Sequence, residues 1–218
     1  MAQAVQSQAT QSNARKQLAL RLKDIEQLIS AHEAITQFKK ASAAAQQSRD
    51  LSGITNIINK LITSPKQGRR GDVDAINRAA YVLLLAHFQG FIEDLYRETG
   101  TLVLTNKVKN IDTVLNTLGL GASNPYANKI EEVFNAIGIY DVMSNISWQK
   151  RTNAGMRQAL TNALSTRNQI AHGKINAQSK SVNLKTVKNL LEFIRILSDN
   201  LDNEVRIKFH ENYRKYPW

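Results

Sequence analysis

The sequence points to an all-α protein built from a long N-terminal helix, short helices and loops in the middle, and a long C-terminal helix. Three observations carry that reading. Apolar residues recur at helical spacing over most of the 218 residues. Only one short β-branched run exists, with no second alternating run to pair with it. The Gly and Pro clusters fall between the periodic stretches, where helices should end.

Taken in order, Leu18, Leu22, Ile25 and Ile29 step by four, three and four, and the pattern continues through His32 to Ile35 or Thr36. A helix is therefore expected over about residues 14 to 47, with Lys and Arg outside and a seam narrow enough for a partner helix. Residues 1–13, rich in Gln, Ser and Ala, read as a disordered tail ahead of one domain spanning 14–218. Leu51 to Ile62 is a shorter apolar-rich segment, and Ser64 to Gly71 reads as an exposed loop with a basic tip. Asp72 is placed to cap a helix over Val73 to Thr99, apolar on most sides as a central helix should be and stopped by Gly100. Thr101 to Val108 is the β-branched run, read as helix or loop. Short helices are expected at Ile111 to Leu118 and Tyr126 to Ile137, separated by the sequence GLGASNP. Asp141 to Trp148 is ambiguous. Helical period resumes from Asn153 to Ala171, with Met156, Leu160, Ala163, Leu164 and Ile170 on one stripe. A polar turn from Gly173 to Ser181 leads to a last helix whose inward stripe is Leu184, Val187, Leu191, Ile194, Leu201 and Val205.

Composition narrows the function classes. With no cysteine, disulfides, thiolate catalysis and cysteine-ligated zinc are excluded together, which fits a reducing cytoplasm. Met1 to Asn13 has neither a basic n-region nor an apolar h-region, so a secretory signal is not expected. The longest apolar run, Ala79 to Ala86, is far short of the ~20 residues that span a bilayer. Net charge is +11, from 29 Lys and Arg against 18 Asp and Glu, and favours a polyanionic partner such as RNA, DNA or an acidic protein. That excess is uneven: residues 1–70 carry 11 basic and 4 acidic groups, residues 71–140 carry 5 and 8, and residues 141–218 carry 13 and 6. On charge alone, the middle third is therefore not expected to be the nucleic-acid face. Lys174 and Arg157, in the basic last third, are candidate RNA contacts.

The stretch that carries chemistry is RNQIAHG, Arg167 to Gly173, in the last turn of an expected helix whose end is marked by a glycine able to take the left-handed conformation. RNA brings its own nucleophile, the 2′-hydroxyl. Strand scission then needs a proton-transfer group, a cation for the charge developing on phosphorus and in-line geometry, and in principle no metal or other cofactor. His172, Arg167 and the positioning amide of Asn168 cover those roles. At about 100° per residue, Asn168 and His172 are nearly aligned, whereas Arg167 and His172 are roughly 140° apart. One helix does not bring the pair together. Arg167 also falls in the apolar stripe, where an unpaired guanidinium is costly, so an acid on the central helix (Glu93, Asp94 or Glu98) or a second subunit is the expected partner. The competing reading makes Arg167 a salt-bridge residue, Asn168 a helix-end hydrogen bonder and His172 a cap.

RNQIAHG resembles the Arg-x(4–6)-His motif of the HEPN superfamily, helical domains of toxins, anticodon nucleases and antiviral effectors. Two further segments extend the resemblance toward the RiboL-PSP group: NISWQK, with Trp148, ahead of the motif helix, and YVLLLAHFQGFIEDLYRETG, Tyr81 to Gly100, which is similar to that group's central helix. Gln89 departs from the glutamate the resemblance leads one to expect. Residues 72–210 are covered. The resemblance implies a HEPN-like helical bundle and a metal-independent endoribonuclease, a homodimer whose two motifs share one composite cleft, in a toxin–antitoxin or antiviral-defence setting with a possible acidic antitoxin or defence partner. It carries Arg167 and His172 over as the catalytic pair, with Asn168 supporting. The alternative is a non-catalytic helical module that binds RNA or a protein.

Among other histidines, His87 shares a face of the central helix with Leu84 and Phe91 and is a core residue or a supporting group of the cleft. His32 occupies a seam position, and His210 lies in the basic C-terminal stretch without a visible partner. No two histidines sit at i, i+3 or i+4, no His–carboxylate cluster has metal-ligand spacing, and no phosphate loop, GxSxG, GxGxxG or HExxH occurs. Gly119-Leu120-Gly121 lacks the preceding strand that a dinucleotide site requires.

Overall fold

The computed structural model describes residues 10–47, 72–173 and 182–218. The segments expected at Leu51 to Ile62 and Ser64 to Gly71, the greater part of the turn after Gly173, and Lys174 lie outside the described residues. Within them the chain is all helical: α1 (Asn13–Gln47), α2 (Asp72–Leu104), α3 (Ile111–Leu118), α4 (Ala127–Ala136), α5 (Asn153–Ala171) and α6 (Leu184–Tyr213). The only extended pairing among the described residues is an isolated bridge between Trp148 and Arg151.

Among the described residues two compact units can be distinguished, one of residues 10–21, 85–165 and 192–218, the other of residues 22–47, 72–84, 166–173 and 182–191. In the first, the core is aromatic and aliphatic: Leu18, Phe88, Phe91, Ile92, Leu95, Leu115, Ile130, Phe134, Met156, Leu160, Leu197, Leu201 and Phe209 are each at most 1% exposed. The second unit is smaller, with Leu22, Ile25 and Ile29 of α1, Ala80, Tyr81 and Leu84 of α2, and Val187, Leu190 and Leu191 of α6 buried. Every step of the α1 pattern from Leu18 to Ile29 is thus an interior position, as its spacing predicts.

Helix α2 runs through Gly100 and ends at Leu104, four residues beyond the expected stop. Gly100 is buried, and a Cβ placed there would lie 2.5 Å from Leu115 Cδ2 of α3. Glycine serves here as a close-packing residue and not as a terminator. Gly90 does the same for a polar contact: its missing side chain leaves room for the Arg21 guanidinium, which bonds Asp94 one turn on at 2.8 Å.

The start of α1 is closed by side chains from distant helices. Ser12 Oγ accepts the Arg15 N–H (2.9 Å), and Glu98 accepts the Asn13 and Ala14 N–H groups (3.1 and 3.0 Å). These are orphan donors of a first helical turn, and an acid beside them also meets the positive end of the helix dipole. Ser12 is itself fully buried, and its N–H and Oγ–H both donate to Asp202. Burial pushes the Asp202 carboxyl up from the ordinary aspartate range, and Glu98 adds to this, while the Ser12 hydrogen bonds and Arg15 pull it down.

Candidate active site at the end of α5

Helix α5 begins under tight control. Thr152 Oγ1 caps it by accepting the Gly155 N–H at 3.2 Å, and Asn153 Nδ2 donates to the carbonyls of Met143 (2.7 Å) and Ile146 (2.9 Å). Trp148 and Arg151 exchange backbone hydrogen bonds at 3.0 and 2.7 Å, forming a tight turn with Gln149 and Lys150 at its tip. Trp148, the last residue of the ambiguous segment, is thus part of this turn. Arg157, a candidate RNA contact, bonds Asn153 Oδ1 through Nε (2.9 Å) and grips Glu131 with both terminal nitrogens (2.7 and 3.2 Å). Its charge is largely offset within the fold.

The other end of α5 is more open. Met156, Leu160, Ala163 and Leu164 are the buried members of the expected stripe, but Ile170 is only half-buried, as are Arg167 and Asn168. The fully buried part of the stripe thus stops at Leu164, about two turns before the helix does. Arg167 Nη1 donates to Asn168 Oδ1 at 3.1 Å, which fixes the two polar side chains against each other. The His172 N–H bonds the Asn168 carbonyl (3.0 Å), and the Gly173 N–H bonds the Ile170 carbonyl (3.1 Å) with Gly173 at φ +65°. That is the left-handed helix stop the glycine predicts. His172 is exposed at this stop, one turn from Asn168. Within one chain, then, Arg167 and Asn168 are joined, and His172 stands at the tip of the helix.

One residue missed by the sequence reading belongs to this end. Tyr81 of α2, 5% exposed, hydrogen-bonds Thr166, the residue before Arg167. Burial raises the Tyr81 pKa more strongly than this bond lowers it, so the phenol stays neutral. A buried hydroxyl needs a partner, and here the pair ties the last turn of α5 to α2. Tyr81 opens the Tyr81 to Gly100 segment, but its spacing reads as core and nothing local pairs it with Thr166.

The three acids named for Arg167 each have a further partner. Asp94 takes Arg21, Glu98 caps α1, and Glu93 Oε1 accepts from Gln89 Nε2 at 3.3 Å. Gln89 thus supports Glu93 as a donor, which a glutamate at that position would not do. His87 is half-buried on α2. His210 does have a partner, stacking on Tyr216 with ring centroids 4.2 Å apart, and Arg206 lies over the same ring. No group of three metal-ligating side chains occurs among the described residues, and no described helix is long and apolar enough to cross a membrane.

An all-helical chain whose polar motif closes the last turn of a helix has the features of a HEPN domain. A RiboL-PSP-HEPN family model matches residues 46–206, and the chain belongs to that family, one generally of ribonucleases. The match begins upstream of the Tyr81 to Gly100 segment and includes both Trp148 and the Arg167 to Gly173 motif. No curated protein and no solved structure matches.

Proposed function

We propose that this protein is a metal-independent endoribonuclease in which the last turn of α5 holds the scissile phosphate. The observation that carries the reading is the Arg167–Asn168 hydrogen bond beside an exposed His172, at a helix end fixed by Gly173. Arg167 binds a phosphate oxygen and stabilises the charge added in the phosphorane. Asn168 holds the guanidinium in place. His172 moves the proton, to or from the 2′-hydroxyl or the leaving 5′-oxygen, and the products end in 2′,3′-cyclic phosphate.

Arg167 and His172 diverge around the helix, so the working site is a homodimer in which Arg167 of one protomer and His172 of the other serve the same phosphate. A toxin or phage-defence setting fits a basic protein of this family, and an acidic antitoxin or defence partner would cover its charge. Co-purification with the product of a neighbouring acidic reading frame tests that part. For the chemistry, purified protein is incubated with RNA in EDTA. Cleavage that persists in EDTA and is lost in both Arg167→Ala and His172→Ala supports the assignment, and unchanged cleavage in both variants refutes it.

Gln89, where the resemblance leads to glutamate, favours a second reading: a non-catalytic module that binds RNA or a protein. Retention of RNA with no cleavage of any RNA class would establish it.

A further inference from the structure

The first unit contains a cavity of about 150 Å³ that the α5 site does not use. Glu93, Tyr96 and Arg97 of α2 form one part of its lining, and Asn116 of α3 with the turn Gly119-Leu120-Gly121 forms another. Such a volume accommodates the six-membered ring of a planar heterocycle, with a fused second ring and its substituent lying toward the mouth. Glycine is required in the turn: a Cβ at Gly119 would stand 2.9 Å from the Leu115 carbonyl oxygen and 3.4 Å from the Tyr96 ring, and Gly121 has φ +56°. The backbone can therefore pass close against the aromatic wall.

The polar groups of the lining are of opposite kinds. Glu93 is an acceptor, with Gln89 using one of its oxygens. Arg97 donates to the side-chain carbonyl of Asn116, which leaves the Asn116 amide NH2 as a second donor group near the guanidinium. Tyr96, 2% exposed, has a hydroxyl with no hydrogen-bond partner among the described residues, and burial raises its pKa so that it remains a donor. A small flat ligand here should offer donors to a carboxylate and an acceptor to a cation. On its Watson–Crick edge, guanine presents two adjacent donors, N1–H and N2–H, followed by the O6 acceptor. Adenine and cytosine set a single amino group beside an acceptor nitrogen, and uracil sets one N–H between two carbonyls; each turns an acceptor toward the carboxylate.

We propose that this cavity binds guanine, with Glu93 accepting from N1–H and N2–H and with Arg97 and Asn116 donating to O6. The base would be an unpaired guanine of the RNA substrate, splayed from its neighbours as single-stranded RNA permits; that source, though not the pocket, rests on the ribonuclease reading. Its test is calorimetric titration of the full chain with GMP, AMP, CMP and UMP. GMP is expected to bind at least about tenfold more tightly than the other three, and Glu93→Gln to abolish that preference, as loss of a bidentate base contact should. Arg97→Ala, at an exposed position, gives a second variant less liable to unfold, and thermal melting checks both. Equal binding of all four nucleotides, no binding of any at millimolar concentration, or unchanged GMP affinity in folded Glu93→Gln would overturn the proposal. Mapping of RNA cuts then identifies the source: cuts at fixed distance from unpaired guanines, lost in Glu93→Gln, place the base in the substrate. GMP preference with cuts indifferent to guanine contradicts that placement and leaves free guanine nucleotide as the ligand. GMP preference without any cleavage defeats the nuclease reading while the guanine site stands.

Discussion

The two ends of α5 carry similar polar residues and put them to different uses. At the start, Thr152, Asn153 and Arg157 are occupied in capping, in tying the Met143 to Ile146 turn and in gripping Glu131, and Arg151 lies over the Phe193 ring. At the end, Arg167 and Asn168 bond each other on a half-exposed turn and His172 stands in solvent. An arginine alone therefore says little about function. Its partner and its burial matter as well: Arg157 is paired with Glu131, whereas the proposed function assigns Arg167 to the phosphate.

The largest effect expected to sharpen this contrast is on cleavage. His172→Ala should lower the cleavage rate by about 100-fold or more, the typical contribution of a positioned proton-transfer group, with no change in the thermal midpoint because the side chain is exposed. Arg157→Ala should do the reverse. It leaves the partly buried Glu131 with only the Ser144 hydroxyl as a donor and costs roughly 1–3 kcal/mol in denaturant unfolding, while cleavage per folded molecule stays at the wild-type level. Parallel losses of activity in the two variants would erase the distinction between the ends. Tyr81→Phe comes next: it removes the bond to Thr166 and should cost about 1 kcal/mol, with a cleavage loss of a few-fold as the last turn of α5 loosens. Smallest is a pH effect in the first unit. Because burial raises the Asp202 pKa, the folded state holds that proton more tightly than the unfolded chain does. The resulting stabilisation is complete below the ordinary aspartate value and is lost as pH rises through the raised one. Unfolding of wild type and Asp202→Asn compared from acid to neutral pH should show wild type losing ground as pH rises; a difference that is constant or grows in wild type's favour would contradict the assignment.

Much of this molecule is readable from local sequence. The step of Leu18, Leu22, Ile25 and Ile29, the span Asn153 to Ala171 and the stop at Gly173 need only helical periodicity and the freedom of glycine, and each stands as that physics requires. Legibility fails where a residue's role is set by a distant helix. Gly100 looks like a terminator until Leu115 is seen against it, and nothing near Glu98 in the sequence shows that it caps α1 from 84 residues away. Ser12 lies in a segment that composition marks as a tail, yet it is buried on Asp202. The polar motif was visible because its residues are adjacent; its support by Tyr81 was not, because that pairing joins two helices far apart in the chain.

The most direct measurement is the chemistry of the RNA ends left by the wild-type protein in EDTA. The expected result is 2′,3′-cyclic phosphate and 5′-hydroxyl termini, formed by wild type and absent with Arg167→Ala or His172→Ala. Termini carrying 3′-hydroxyl and 5′-phosphate, or cyclic phosphate formed equally by both variants, would contradict a site at the end of α5.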